Sequence, residues 1–273
     1  MFRLAFPSWV KEGGISENAR FICGKWQSIR QFGGLPSCVL DEPEIGLCFF
    51  EAAACLDYGL EDLPLKLGEM PCSWHVHLPL DLPFCIEPAP GPAAVRESFY
   101  ICRRLMQRCE FLNIRCAVLH PPAGGFRQAG TVEALALFIE LWTAADYPSQ
   151  SLLLENQPES VLSELSLEIS KNSLGACLDL AHLYMNPSKK MDTAGLSGFA
   201  ELALVWHVNA PGDGYKGHSS LNSLTPSQAE EYAALFDSLA CKGGGTLMLE
   251  LFRWEKIEES LPFLFNCLHG NKF

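Results

Sequence analysis

The sequence predicts an α/β fold, a single (β/α)8 barrel, on three observations. Eight short apolar runs end near Phe6, Phe50, His77, His120, Glu155, Asp179, His207 and Glu250. Stretches of helical periodicity lie between several of them, and alternation of strand and helix with short connections means a parallel sheet. Six of the runs end in an acid or a histidine. A parallel strand covered on both faces reads as a continuous apolar run, and in a closed barrel the C-terminal strand ends share one mouth.

Met1 to Phe6 reads as a first strand already under way. The unit from Gly13 to Leu47 carries Gly and Pro that predict interruption of any long helix. Ala93 to Phe111 predicts a helix with Val95, Phe99, Leu105 and Met106 inward and Arg96, Arg103 and Arg104 on other faces. Val132 to Ala145 predicts another, with Thr131 as its N-cap and Glu133 in its first turn. Ser160 to Ser170 fits the helix after the fifth strand. Ser227 to Cys241 follows Pro226 and is stopped by Gly243-Gly244-Gly245. The longer loops Leu78 to Pro92 and Val208 to Pro226 leave the C-terminal face, where they would roof a pocket. No linker appears, so residues 1–273 read as one domain, close to the about 250 residues usual for such a barrel. Neither a Gly-x-Gly-x-x-Gly turn nor a Gly-Lys-Ser/Thr loop is present, which removes dinucleotide and P-loop readings.

The net charge of −12 and pI near 5.0 argue against an extended nucleic-acid surface, which needs clustered Lys and Arg. The 12 cysteines contain no Cys-x-x-Cys pair and several fall inside strands, so they are expected as free thiols packed as small hydrophobes in a reducing compartment. No basic leader and no apolar run of about 18 residues is seen. The expectation is a cytoplasmic protein, monomer or homodimer, acting on a small molecule and not on a membrane.

Glu155, Asp179, His207 and Glu250 form the core of the expected site. One carboxylate at a strand end commonly caps a helix or pairs with Arg. Four such groups converging on one mouth are better explained by a divalent ion: Zn, Mn, Fe or Co. His77, His120, His182 and His218 are a second candidate set, with His182 three residues beyond Asp179. His75 and His77 face the same side of their strand because side-chain direction repeats every two residues. Either could be the ligand with the other a partner inside the barrel; His77 is taken with the metal candidates and His75 with the substrate candidates. Arg127, Lys216 and Arg253 are candidates for holding an anionic substrate group. Trp74, Trp206 and Trp254 adjoin the ligand positions as pocket wall or core.

His-Leu-Pro at 77–79, His-Pro at 120–121, Leu-Glu-Asn at 154–156, Asp-Leu-Ala-His at 179–182, Trp-His-Val at 206–208 and Leu-Glu-Leu at 249–251 together resemble the xylose isomerase-like TIM-barrel superfamily, which includes endonuclease IV and sugar isomerases and epimerases. In its epimerase branch, Glu155, Asp179, His207 and Glu250 would hold one ion while Glu155 and Glu250 move protons alpha to a carbonyl and His182 positions the substrate. In its endonuclease branch all eight metal candidates would hold a cluster, and Lys216 stands where that branch has an acid, so one to three ions are implied. Ile45 to Glu51, His75 to Leu82, Asp213-Gly214 and His218 to Leu221 resemble, more narrowly, the cobamide-remodelling phosphodiesterases. That resemblance implies hydrolysis of the nucleotide-loop phosphodiester, with Glu155, Glu250 and His182 catalytic. A sugar isomerase or epimerase is the rival, and a barrel that binds a corrinoid or sugar without turnover is the third reading.

Overall fold

A strand in a closed barrel sends alternate side chains to the helix layer and to the barrel axis, and that division organises this chain. The computed structural model describes residues 1–32, 35–186, 193–212, 217–242 and 244–270. The strands are β1 (Phe2–Pro7), β2 (Glu44–Cys48), β3 (Ser73–His77), β4 (Ala117–Leu119), β5 (Leu152–Glu155), β6 (Gly175–Asp179), β7 (Ala203–Val208) and β8 (Gly245–Leu249). Neighbours pair in parallel in chain order, and β8 returns to β1, closing a (β/α)8 barrel. The helices are α1 (Ile15–Phe32), α2 (Ala52–Leu56), α3 (Pro83–Ile86), α4 (Pro92–Arg108), α5 (Thr131–Ala144), α6 (Leu162–Lys171), α7 (Thr193–Leu202), α8 (Pro226–Lys242) and α9 (Trp254–Leu268). At least one follows every strand. Among the described residues, no helix is long and apolar enough to cross a membrane.

Outward residues such as Leu4, Ile45, Val76, Leu154 and Leu178 join the helices in one large core. Inward residues form separate clusters: Ala5, Cys48 and Met248 on one side, Cys116, Val118, Leu153, Cys177 and Val205 on the other. This apolar middle layer separates two polar ones. In the lower layer, near the N-terminal strand ends, Glu44 is fully buried. It accepts from His75 Nδ1 at 2.7 Å, from Arg115 Nη2 at 3.2 Å and from Thr246 Oγ1 at 3.2 Å, and it pairs with Arg3. Burial opposes the ionisation of Glu44, but its hydrogen bond to His75 and the charges of His75 and Arg115 outweigh that and hold its carboxyl at about 2. Gly46 is required above it: a Cβ there would lie 2.7 Å from Met248 Sδ and 2.9 Å from His75 Nε2.

One irregularity sets the phase of β7. Its pairing with β6 passes from Ala176↔Ala203 to Cys177↔Val205, which leaves Leu204 as an extra residue, 44% exposed. Ala203 faces the helix layer, and beyond this bulge Val205 lies inside with Cys177. His207 then falls opposite Asp179.

Three local expectations are corrected. The Gly13 to Leu47 unit contains the 18-residue helix α1. Its only internal glycine, Gly24, has open space where a Cβ would stand, and one such residue costs only about 1 kcal/mol. Helix α5 is capped by Gly130 in the left-handed region, while Thr131 is its first residue and donates to Gln128 O. The second strand ends at Cys48, which leaves Phe50 beyond it on the mouth. Among the described residues, eleven cysteines are free thiols, eight of them buried.

Two outcomes follow. Stability tied to ionised Glu44 is present above its unfolded pKa of about 4.3 and is lost as pH falls towards about 2. Glu44→Gln is therefore expected to lose roughly 3 kcal/mol at pH 7, with the gap to the parent closing through that acidic window in urea titrations. Inserting one alanine between Val205 and Trp206 is expected to abolish the cooperative thermal transition by turning Trp206 inward and His207 outward. Deleting the extra Leu204 leaves Val205 opposite Cys177 and should keep that transition. Leu204→Ala, which keeps the residue count, should retain that transition.

Candidate metal centre at the barrel mouth

The upper polar layer is built from the last inward position of β3 to β8 or the residue just after it. Glu155 closes β5, is 1% exposed, and stands at the centre. Its Oε2 lies 3.0 Å from His77 Nε2 and 3.0 Å from His120 Nε2. Its Oε1 lies 3.1 Å from His207 Nδ1 and 3.8 Å from His182 Nδ1. Burial disfavours the charged carboxylate. The charges and hydrogen bonds of His207 and His120 outweigh burial, so Glu155 is held well below the usual range.

Three of the imidazoles are oriented by main-chain carbonyls. His77 Nδ1 lies 2.9 Å from Leu78 O, His182 Nδ1 lies 2.7 Å from Asn156 O, and His218 Nδ1 lies 3.1 Å from Glu250 O. A carbonyl accepts only, so each Nδ1 carries the proton and each neutral ring keeps its lone pair on Nε2. For His77 that lone pair faces the Glu155 carboxylate, an arrangement that requires a proton or a cation between them. Burial pulls the His77 pKa down, but the hydrogen bond and charge of Glu155 outweigh it and raise it, which favours a proton there. His182 is likewise raised, by Asp179 and Glu155 against burial. His207 and His218 are lowered by burial. His207 Nε2 is buried without a partner.

Glu155, Asp179, His207 and Glu250 each bring a ligand atom within 4.8 Å of the others, and His77, Glu155 and His207 form a second such group. Three buried carboxylates at that spacing repel one another. Burial, with the charges of Asp179 and Glu155, pushes Glu250 well above the carboxylate range. Oxygen donors, imidazole nitrogens and a local excess of negative charge suit a divalent ion of the Zn or Mn type, and the carbonyl-anchored histidines match the outer support such ligands need.

Asparagines complete the frame. Asn156 Oδ1 accepts from Asp179 N at 2.7 Å, and its Nδ2 donates to Asp179 O at 3.0 Å. Asn209 Nδ2 donates to Asp179 Oδ2 at 3.1 Å. Beside this cluster is a cavity of about 80 Å3. One wall is polar, with His77, His120, Glu155, His182, His218 and Glu250. The other is apolar, formed by Cys48, Phe50, Leu80 and Phe252, with the Phe50 and Phe252 rings edge to face at 5.3 Å.

The structure therefore brings His77, His120, Glu155, Asp179, His182, His207, His218 and Glu250 to one mouth. Of the four substrate candidates, His75, Arg127 and Arg253 do not line the cavity. His75 is enclosed below, between Glu44 and Met248 Sδ, because two residues along a strand displace it by about 6.6 Å from His77. Arg127 is exposed and paired with Glu164 at 2.9 Å. Arg253 is exposed at the N-cap of α9. Lys216 lies outside the described residues, as do Asp213 and Gly214. Trp74, Trp206 and Trp254 are buried in the main core and do not line the cavity. Asn209 is not singled out by the sequence reading, although its place two residues after His207 carries the signal. Phe50 and Phe252 look there like ordinary apolar residues.

No protein-family model and no curated protein matches this sequence. Solved structures do match along nearly the whole chain. The TTHB071 protein from Thermus thermophilus, solved with ZnCl2 soaking, is 22% identical with a TM-score of 0.63, covering 100% of this chain and 99% of that one. A D-tagatose 3-epimerase-like protein is 14% identical with a TM-score of 0.66, covering 98% of each chain. Endonuclease IV from Thermus thermophilus is 17% identical with a TM-score of 0.60, covering 96% of this chain and 98% of that one. The chain has the xylose isomerase-like (β/α)8 TIM-barrel fold shared by these proteins.

Proposed function

We propose that this protein is a metal-dependent phosphodiesterase working with two divalent ions. The observation that carries the reading is the division of Glu155: Oε2 faces His77 and His120, whereas Oε1 faces His207 and, farther off, His182. A carboxylate with a separate ligand set on each oxygen is suited to bridge two ions. His77, His120 and Glu155 would hold one, and Glu155, Asp179, His207 and Glu250 the other, with His182 and His218 offering further Nε2 donors. Such ions, when bound, supply an ionised water near neutral pH and neutralise phosphoryl oxygens during in-line displacement.

The chain's own residues contribute position and exclusion. The carbonyl-anchored imidazoles hold their lone pairs toward the cavity without reorganisation. The Phe50, Leu80 and Phe252 wall offers a partly exposed apolar face beside the reacting group, which supports a substrate with a flat apolar portion. We assign that substrate class to cobamides, with cleavage of the nucleotide-loop phosphodiester. The buried free thiols support a reducing, cytoplasmic setting.

A second reading has its own support. The four-residue group alone would serve a one-ion sugar isomerase or epimerase, with Glu155 and Glu250 moving protons and His182 touching substrate. His120 separates the two, since it belongs only to the first ion's set. After reconstitution with Zn, Mn, Fe or Co, the parent is expected to cleave a cobamide or bis(p-nitrophenyl) phosphate. His120→Ala should lower that rate by roughly 100-fold and remove one metal equivalent. Isomerisation of ketohexoses by both proteins, with no phosphodiester cleavage, would establish the one-ion enzyme. Corrinoid binding without product, surviving Glu155→Gln, would leave only a binding barrel.

A further inference from the structure

Asn209 engages a different part of the mouth with each of its side-chain polar atoms. It is fully buried immediately after β7, in the inward phase set by the Leu204 bulge. Its Nδ2 donates to Asp179 Oδ2 at 3.1 Å and reaches Glu250 Oε2 at 3.5 Å. Its Oδ1 accepts from His218 N at 2.8 Å, and its main-chain O accepts from Tyr232 Oη at 2.9 Å.

We propose that Asn209 is a positioning residue that holds the Asp179 and Glu250 carboxylates and the His218 imidazole in one metal-ready arrangement. This rests on the metal reading above. Two carboxylates at this spacing repel, and a donor between them holds them together until a cation takes over. His218 has a φ of 51°, a left-handed conformation that a residue with a side chain adopts at a cost of order 1 kcal/mol or more. Next to it, the main chains of Ala210 and Ser219 exchange hydrogen bonds at 2.9 and 3.1 Å. Asn209 adds the bond that fixes His218 N, while His218 Nδ1 is tied to Glu250 O. A single amide thus couples the late loop to two strand ends. Neither obvious replacement serves: Asp would set another negative charge against Asp179 and Glu250, and Leu would leave His218 N–H without its acceptor.

The test compares metal-free parent, Asn209→Leu and Asn209→Asp, titrated with Co2+ against a competing chelator while the visible absorption of the bound ion is recorded. Thermal midpoints of the metal-free proteins are measured in parallel. Asn209→Asp keeps the acceptor for His218 N, so it remains informative if Asn209→Leu does not fold. The expected result is Co2+ binding weakened roughly 10–100-fold in each folded variant, with altered absorption bands. The metal-free Asn209→Asp protein should still unfold cooperatively. Tyr232→Phe, which removes the hydroxyl bonded to the Asn209 main chain and leaves its side chain untouched, should keep the parent spectrum. Parent-like affinity and spectrum in Asn209→Asp, or tighter binding there, would overturn the proposal while leaving the metal reading intact. A parent that takes up no Co2+ would instead overturn the metal reading and this inference with it.

Discussion

An ionised carboxylate removed from water costs several kcal/mol unless cationic or donor groups answer it. Glu155 is buried as an anion, and the arrangement of the mouth follows from that demand. His77 and His120 meet one oxygen and His207 the other. The imidazoles are held in turn: His77 by Leu78 O, His182 by Asn156 O and His218 by Glu250 O. Their Nε2 lone pairs need a positive partner, which protons provide only in part and divalent ions would provide fully. The same charge balance explains why the neighbouring Glu250 is pushed toward its neutral form while Glu155 stays ionised.

The barrel contains a second buried carboxylate with a different solution. Glu44 is answered permanently by His75, Arg115, Arg3 and Thr246. Nothing about that layer calls for an added cation, and it lies beneath a dry middle layer of Ala5, Met248, Val118 and Cys177. The contrast separates a carboxylate answered wholly by protein groups from a cluster of carboxylates and imidazoles that could hold a cation. Below, the charges are satisfied by protein groups. Above, His77 and His120 turn Nε2 to one Glu155 oxygen at 3.0 Å, beside a cavity of about 80 Å3. The Leu204 bulge serves the two higher layers together, since past it Val205 joins Cys177 in the dry layer and His207 stands opposite Asp179.

The closed barrel and the ligand-bearing strand ends were legible because both are written in local pattern: apolar runs, most of them ending in an acid or histidine. Depth along the axis was not. His75 and His77 share a face, and nothing in Trp74-His75-Val76-His77 tells which one reaches the mouth; Glu44, on the neighbouring strand, decides it. Arg127 illustrates the same limit, because its partner Glu164 is on another unit. Helix α1 was hidden by glycines that flank it more than they interrupt it. Asn209 carried a readable position but no charge to draw notice, and its importance lies in contacts with β6, the end of β8 and the late loop.

The measurement that bears most directly on the shared role of Glu155 is the anomalous scattering of crystals grown with Zn2+ or Mn2+. The account predicts two peaks roughly 3.5–4 Å apart, one on each Glu155 oxygen. The first should sit near His77 and His120, and the second near Asp179, His207 and Glu250. A single peak bound by the latter group, with His77 and His120 still bonded to Glu155 alone, would contradict the two-ion site.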